Sequence, residues 1–442
     1  MSRADARESV DSRVHHTVYD ELTRLEVMRE ANRCLYCYDA PCTQACPTHI
    51  DVPSFIRKIA TDNLSGSARV IMDANPMGAS CARVCPTDDL CEGACVLGRD
   101  ESPIRIGDLQ RYATDWAMEH GMTDFTPGPA TGHRIAIVGG GPAGLSAARE
   151  LARAGHDVTL FEAKDKLGGL NTYGIVPFRL PMDVALWEAE QVEKLGVHIR
   201  TNCAVGQDVS VESLTSAYDA IVLACGLGYV PQIGIPGEHL NGVWDAIDFI
   251  EKVKSGIAVG DIGSRVAIIG AGNTAIDAAT CSKRLGADQV TIFYRRTEHE
   301  MTAYPFEYEF AKQEGVEFRW KCAPTRIAGE NGRVQAIEFI RTRLLEDGTV
   351  EPLPGTKFLV EVETVIRAIG QSKQTDLIEQ FGLRHTSGVI DVDDGFRTSQ
   401  PNIFAAGDNT FSRGGAREAM VVEAAEQGKI VARSVDAFLK MK

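Results

Sequence analysis

Nothing in the 442-residue chain is long and apolar enough to be read as a membrane span. Its longest stretch without charge, Ala220–Gly237, is broken by Pro231, Pro236 and several glycines, so it reads as a strand followed by turns. No apolar core of a secretory signal lies in the opening MSRADARESVDSR, and the chain is expected to be cytoplasmic. Positive charge is also short. Against 61 Asp and Glu stand 46 Lys and Arg, and the formal net charge of −15 is spread along the chain, which argues against nucleic acid or an anionic membrane as partner. Cysteine is sparse after residue 95, where Cys203, Cys225, Cys281 and Cys322 stand singly. No C-x2-C lies in that part, which disfavours a dithiol enzyme of the thioredoxin-reductase type. At 44% hydrophobic and 24% charged residues, the composition is that of a globular protein of about two to four domains.

What the later chain lacks in cysteine is concentrated early. Eight of the twelve cysteines fall in two sets, Cys34-x2-Cys37-x4-Cys42-x3-Cys46-Pro47 and Cys81-x3-Cys85-Pro86-x4-Cys91-x3-Cys95. A disulfide framework belongs to small exported domains, so a local inorganic site is the better reading. Two cubane iron–sulfur clusters need about eight ligands, and Cys-Pro steps occur in ferredoxin ligand runs. Zinc is the rival, though its structural sites seldom use these spacings or this density. Apolar residues at helical spacing over Val52–Ala60 and Ser67–Met72, a helix near Tyr19–Ala31 and another within Pro103–Trp116 make residues 1–130 a mostly helical domain. The proline- and glycine-rich Gly121–Gly132 is a linker.

A different pattern begins at Ile135. Four apolar residues run into Gly139-x-Gly141-x-x-Gly144, with Gly140, Pro142 and Ala143 between, and an alanine-rich helix follows. Such a strand–turn–helix brings free N–H groups and a helix dipole to a pyrophosphate. The next strand, Val158–Phe161, ends in Glu162, placed to accept hydrogen bonds from a ribose, and Gly168-Gly169 complete an E-x5-GG pattern. This set reads as an FAD site. A further strand, Ala220–Ala224, ends in the turn Cys225-Gly226, at the strand end where such sheets bind ligands.

The fingerprint recurs. Val266–Ile269 leads into Gly270-x-Gly272-x-x-Ala275, and the following strand Val290–Tyr294 ends in Arg295-Arg296 instead of an acid. Two arginines there would neutralise a 2′-phosphate and favour NADPH over NADH. Another strand runs into Ala368-Ile369-Gly370, and near the end IFAAGD (residues 403–408) precedes a glycine-containing loop and a helix over Ala419–Phe438. The alternation predicts an α/β protein with two Rossmann-like dinucleotide-binding domains. An FAD domain over 131–258 and 371–442 is split by an NAD(P)H domain over 259–370.

With these pieces placed, essentially the whole chain resembles the flavoprotein family that includes the NADPH-dependent glutamate synthase small subunit and the N-terminal half of dihydropyrimidine dehydrogenase. CYDAPCTQACPTHIDVPSFI (37–56) and CARVCPTDDLCEGAC (81–95) are most like dihydropyrimidine dehydrogenase. The resemblance implies two [4Fe–4S] clusters, one held by Cys34, Cys37, Cys42 and Cys95, the other by Cys46, Cys85, Cys91 and Gln110, with Cys81 spare. It places FAD against Gly139, Gly140, Gly141, Pro142, Ala143, Gly144, Glu162, Gly168, Gly169, Leu170, Arg179, Val205, Gly407, Asp408, Gly414, Gly415 and Ala416. NAD(P)H would meet Gly270, Ala271, Gly272, Asn273, Thr274, Arg295, Arg296, Ala368, Ile369 and Gly370. Asn273 departs from the family's usual aspartate, and Thr302 stands where the mammalian enzyme has a further arginine. The implied activity is electron transfer from NAD(P)H through FAD and two clusters to a separate FMN-containing subunit acting on uracil or thymine. A glutamate synthase small subunit and a free-standing NAD(P)H:ferredoxin-type reductase are the alternatives.

Overall fold

The computed structural model describes Val14 and residues 21–123, 125–411 and 419–441. Among them no helix is long and apolar enough to cross a membrane. Among the described residues the chain forms two compact units, one taking residues 21–172, Arg179–Leu227 and Lys373 onward, the other Val14, Tyr173–Phe178 and Gly228–Ser372.

The first unit begins with helices Arg24–Arg33, Pro41–Ala45, Val52–Ala60, Leu64–Ala74, Gly78–Val84 and Ile106–Glu119. Local chemistry starts them. Thr23 and Glu26 form a reciprocal capping box, Asp51 accepts from Ser54 N at 3.1 Å ahead of Pro53, and Asn63 accepts from Gly66 N at 2.9 Å. Apolar faces at helical spacing then bury Phe55, Ile56, Ile59, Ile71, Ile106 and Leu109 in one core, each contributing roughly 1.5–3 kcal/mol. The helices expected in the cysteine region are present.

That core continues into a five-stranded parallel sheet in the order Ile403–Ala405, Ala220–Leu223, Arg134–Val138, Asp157–Phe161, His198–Arg200. Strand Ile403–Ala405 pairs with Ala220–Leu223 although some 180 residues separate them in sequence, so the late segment completes the first sheet. The final helix, Val421–Leu439, lies on helix Pro142–Arg153. Gly428 permits the crossing: a Cβ there would stand 2.4 Å from Ala143 O.

The second unit holds another five-stranded parallel sheet, in the order Val243–Asp245, Thr364–Arg367, Arg265–Ile269, Gln289–Tyr294, Glu317–Trp320. An antiparallel sheet built on Cys322–Glu330 and Arg333–Leu344 joins it. Expected boundaries move, for Tyr173–Phe178 and residues 371–372 as well as for one longer stretch. Residues 228–258, assigned by sequence to the first dinucleotide domain, belong here, because Val243–Asp245 pairs with Thr364–Arg367 and helix Ala246–Lys254 buries Phe249 and Ile250 in this unit's core. No glycine fingerprint marks that junction, so periodicity alone did not show which sheet the strand joins.

Candidate functional site

The cysteines gather into two groups. Cys34 and Cys37, in the loop after helix Arg24–Arg33, Cys42, on helix Pro41–Ala45, and Cys95, in a later loop, line one cavity of about 20 Å³ together with Leu35, Pro41, Val52, Ile56 and Ile104. Their surroundings are apolar. Burial raises the Cys34 thiol and pushes Cys42 up to about 11, so holding both as thiolates calls for positive charge beside them. Among the described residues no three His, Cys, Asp or Glu converge tightly enough to grip a single ion. The four cysteines line one shared space, which suits ligands to different corners of a cluster. Donor type, number and apolar wall fit a [4Fe–4S] group.

In the second group, the Cys85 thiol is raised by its hydrogen bond with Cys81, by burial, and by the nearby charges of Cys91 and Cys46. Burial raises Cys91 as well. The Cys81–Cys85 contact is local, four residues apart at the end of helix Gly78–Val84. Gln110, 7% exposed on helix Ile106–Glu119, donates from Nε2 to Gly78 O at 2.7 Å, which leaves its carbonyl oxygen as the remaining donor atom.

At the first fingerprint the glycines do three different things. Gly139, at φ +107°, passes so close to strand Ala220–Leu223 that a Cβ would meet Ala224 O at 2.3 Å. Gly144 lets helix Pro142–Arg153 settle on the strand, since a Cβ would lie 2.0 Å from Gly139 O. A Cβ on Gly141 would meet only Gly169 Cα, at 3.9 Å. The helix has no side-chain cap, so the first-turn N–H groups, including those of Ala143 and Gly144, lack intrahelical partners behind Pro142. That cradle fits a pyrophosphate. Gly168 and Gly169 fold against it through Gly168 N to Gly140 O at 2.7 Å, and Leu170 opens the next helical turn. Glu162 is held by Gly140 N and Lys164 N, both at 2.8 Å. Loop 202–205 runs beside it, from Cys203 N to Glu162 O, and ends in buried Val205. Arg179 is half-buried in the same unit.

Across the sheet, Gly407 (φ +81°) donates to Gln427 Oε1 at 2.8 Å and brings Asp408 to the end of strand Ile403–Ala405. Burial raises the Asp408 carboxyl, with Lys373 pulling the other way. Gly414, Gly415 and Ala416 lie outside the described residues.

The second fingerprint repeats the logic. Gly270 (φ +129°) would, with a Cβ, meet Ala368 O at 2.1 Å, and helix Asn273–Arg284, starting at Gly272 as cap, has no side-chain cap. Thr302 N and Ala303 N both bond Ala271 O at 3.2 Å, and Asn273 Oδ1 accepts from Tyr304 N at 3.1 Å, so a second loop is tied over the turn beside Thr274. Ala368, bonded from its N–H to Ile269 O, leads to exposed Ile369 and to Gly370 at φ +99°. Arg295 is exposed beyond strand Gln289–Tyr294, while the Nε of Arg296 is buried with no partner among the described residues, a donor suited to an anion.

Sequence reasoning passed over several residues that close these sites. Asn409 donates to Leu223 O at 2.9 Å and leaves Oδ1 buried with no partner among the described residues, beside Cys225. Gln427 orders Gly407 from the last helix, and no motif marks it. Only the position of Asn409 beside the IFAAGD stretch could have drawn notice.

Residues 11–122 match the family described as dihydropyrimidine dehydrogenase domain II, 4Fe-4S cluster, and residues 133–428 the pyridine nucleotide-disulphide oxidoreductase family. The NAD-dependent dihydropyrimidine dehydrogenase subunit PreT of Salmonella typhimurium is 35% identical over 428 residues, which cover 95% of this chain and 97% of that protein. The glutamate synthase [NADPH] small chain of Escherichia coli is 32% identical over 450 residues, covering 96% and 94%. Among solved structures, Mycobacterium tuberculosis FprA in complex with NADPH matches 70% of this chain and 85% of its own, at 21% identity and TM-score 0.58. Lactococcus lactis thioredoxin reductase matches 70% and 100%, at 22% and 0.56. These two establish the fold over that part.

Proposed function

Since the chain belongs to the pyridine nucleotide-disulphide oxidoreductase family, carries a 4Fe-4S domain ahead of it and takes FAD and NAD(P)H, we propose that it is the electron-input subunit of a dihydropyrimidine dehydrogenase. In this reading it works in the cytoplasm with a separate FMN-containing subunit that interconverts uracil or thymine and their 5,6-dihydro forms. The observation that carries the proposal is the gathering of Cys34, Cys37, Cys42 and Cys95 on one apolar cavity within the same unit as the FAD-type fingerprint. The PreT relative, aligned over 97% of its own length, is named a subunit of an NAD-dependent dihydropyrimidine dehydrogenase, which supports a separate partner.

When bound, the nicotinamide gives up two electrons as hydride, the flavin accepts them and releases them singly, and the clusters carry one at a time. The protein's task is positioning. Helix Pro142–Arg153 and Gly141 hold the FAD pyrophosphate, Glu162 the adenosine ribose, and Asp408 the ribitol side. Arg295 and Arg296 take the 2′-phosphate, which makes NADPH the preferred coenzyme, in contrast to the NAD-dependent name of the PreT relative. Cys34, Cys37, Cys42 and Cys95 hold one cluster; Cys46, Cys85, Cys91 and Gln110 hold the other.

The test is anaerobic purification of the tagged chain from its host, with the eluate assayed for reduction of NADP⁺ and NAD⁺ by dihydrouracil. Activity with a co-eluting FMN protein supports the reading. Co-elution of a large amidotransferase without that activity replaces it with the glutamate synthase assignment.

A further inference from the structure

Within the first unit, three ionic side chains of the flavin-type fold reach into the helical region, and each ends on backbone at a helix terminus. Arg149, 3% exposed on helix Pro142–Arg153, donates to Met72 O and, at 2.9 Å, to Asp73 O. Lys429, on helix Val421–Leu439, donates to Ala74 O at 2.8 Å and Thr48 O at 3.2 Å while pairing with Glu426 at 2.7 Å. Both cations therefore sit at the C-terminal end of helix Leu64–Ala74. Glu188, 2% exposed on helix Met182–Glu193, takes the opposite end of the next helix: its Oε1 accepts from Ala79 N at 2.7 Å and Ser80 N at 3.0 Å, and its Oε2 from Ser80 Oγ. Each sign suits the helix dipole it meets.

The segment so gripped is not a neutral part of the fold. Helix Gly78–Val84 carries Cys81 and delivers Cys85 at its cap, Gln110 hangs from Gly78 O, and Thr48, held by Lys429, lies two residues after Cys46. A serine or asparagine from within the helical region would cap two N–H groups as well. Burying a carboxylate across 108 residues of sequence costs more, and burial pushes its carboxyl up to about 7. Its charge is partly met by Arg83, itself bound to Asp115 at 2.5 Å. What a charge does here that a neutral cap does not is disfavour the arrival of an electron nearby.

We propose that Glu188 is a positioning residue for electron transfer: it fixes the Cys81–Cys85 segment against the flavin-binding fold, and its negative charge lowers the reduction potential of the cluster held by Cys46, Cys85 and Cys91. The inference rests on reading those cysteines as cluster ligands. Glu188→Gln keeps the shape and the acceptor for Ala79 N and Ser80 N, turns the atom facing Ser80 Oγ into a donor that the hydroxyl can accept, and removes the charge. Lys429→Gln removes a charge of the other sign beside the same group.

The experiment is an EPR-monitored redox titration of the holoprotein at pH 8.5, where the carboxylate is ionised, with iron counted in each variant. The expected result is full iron throughout, one midpoint raised in Glu188→Gln by about tenfold in the reduction equilibrium, which is ~59 mV for one electron, the same midpoint lowered in Lys429→Gln, and the other midpoint unmoved. Unchanged midpoints at full iron overturn the proposal, as does an equal shift of both clusters. Should Glu188→Gln fail to fold, an unmoved or raised midpoint in Lys429→Gln overturns it instead. A wild-type protein with iron for a single cluster removes the reading it rests on.

Discussion

Gly428→Ala separates local preference from tertiary packing at the point where the two ends of the flavin-binding fold meet. Gly428 lies inside the 19-residue helix Val421–Leu439, and by helix propensity alone the substitution should stabilise the protein by about 1 kcal/mol. The crossing reverses that. A Cβ would stand 2.4 Å from Ala143 O, 2.7 Å from Ser146 Cβ and 2.9 Å from Ala147 N, and two of those three atoms are backbone of helix Pro142–Arg153. The helices must part by roughly 1 Å to reach ordinary contact, an overpacking cost of about 1–3 kcal/mol. Parting also strains the bond from Ser146 Oγ to Ala425 O, now 2.6 Å, worth about 1 kcal/mol. The balance is a net destabilisation of about 1–3 kcal/mol. Because Ala143 lies in the turn proposed to hold the FAD pyrophosphate, flavin should also be released earlier on heating. Flavin fluorescence during a thermal ramp measures both, with the transition falling by about 2–4 °C per kcal/mol. A variant that melts at or above the wild-type temperature would falsify the close crossing and the packing argument built on it.

Four further outcomes are expected. Cys42→Ser should cost about four irons per chain by chemical iron analysis, and Cys81→Ala none; loss of a cluster from Cys81→Ala would move the eighth ligand from Gln110 to Cys81. Replacing Arg295 and Arg296 together by alanine should raise the KM for NADPH roughly ten- to a hundredfold, from charge-assisted bonds worth about 1.5–3 kcal/mol, and leave that for NADH nearly unchanged; a lower wild-type KM for NADH than for NADPH refutes the coenzyme assignment. Arg149→Met should destabilise the first unit by about 3 kcal/mol or more in urea titration, because two backbone carbonyls at the end of helix Leu64–Ala74 lose their donor. The Glu188 carboxyl, at about 7 in the fold and 4.5 in its ordinary state, binds a proton in the native protein that the unfolded chain has released. Its contribution is therefore present in full below pH 4.5 and is lost as pH rises towards 7, by about 3 kcal/mol; Glu188→Gln should flatten that part of the stability profile, and parallel wild-type and variant profiles would contradict it.

Residues that act through neighbours in sequence were legible before any coordinates. The two glycine fingerprints, Glu162 after its strand, the arginine pair after the other and the crowded cysteines all express a chemistry whose spacing is set by one turn, one strand or one loop, so the chain itself displays them. The apolar periodicity that built Val52–Ala60 and the fingerprint helices is equally local. Tertiary structure alone decided which distant pieces complete each site. It gave Ile403–Ala405 its place beside Ala220–Leu223, moved Val243–Asp245 into the second sheet, and drew Cys95 to Cys34 and Cys42. It also chose Gln427 to hold Gly407 and Glu188 to hold Ser80. Such pairings depend on packing between elements far apart in the chain, where an ordinary buried glutamine or glutamate carries no pattern that sequence could single out.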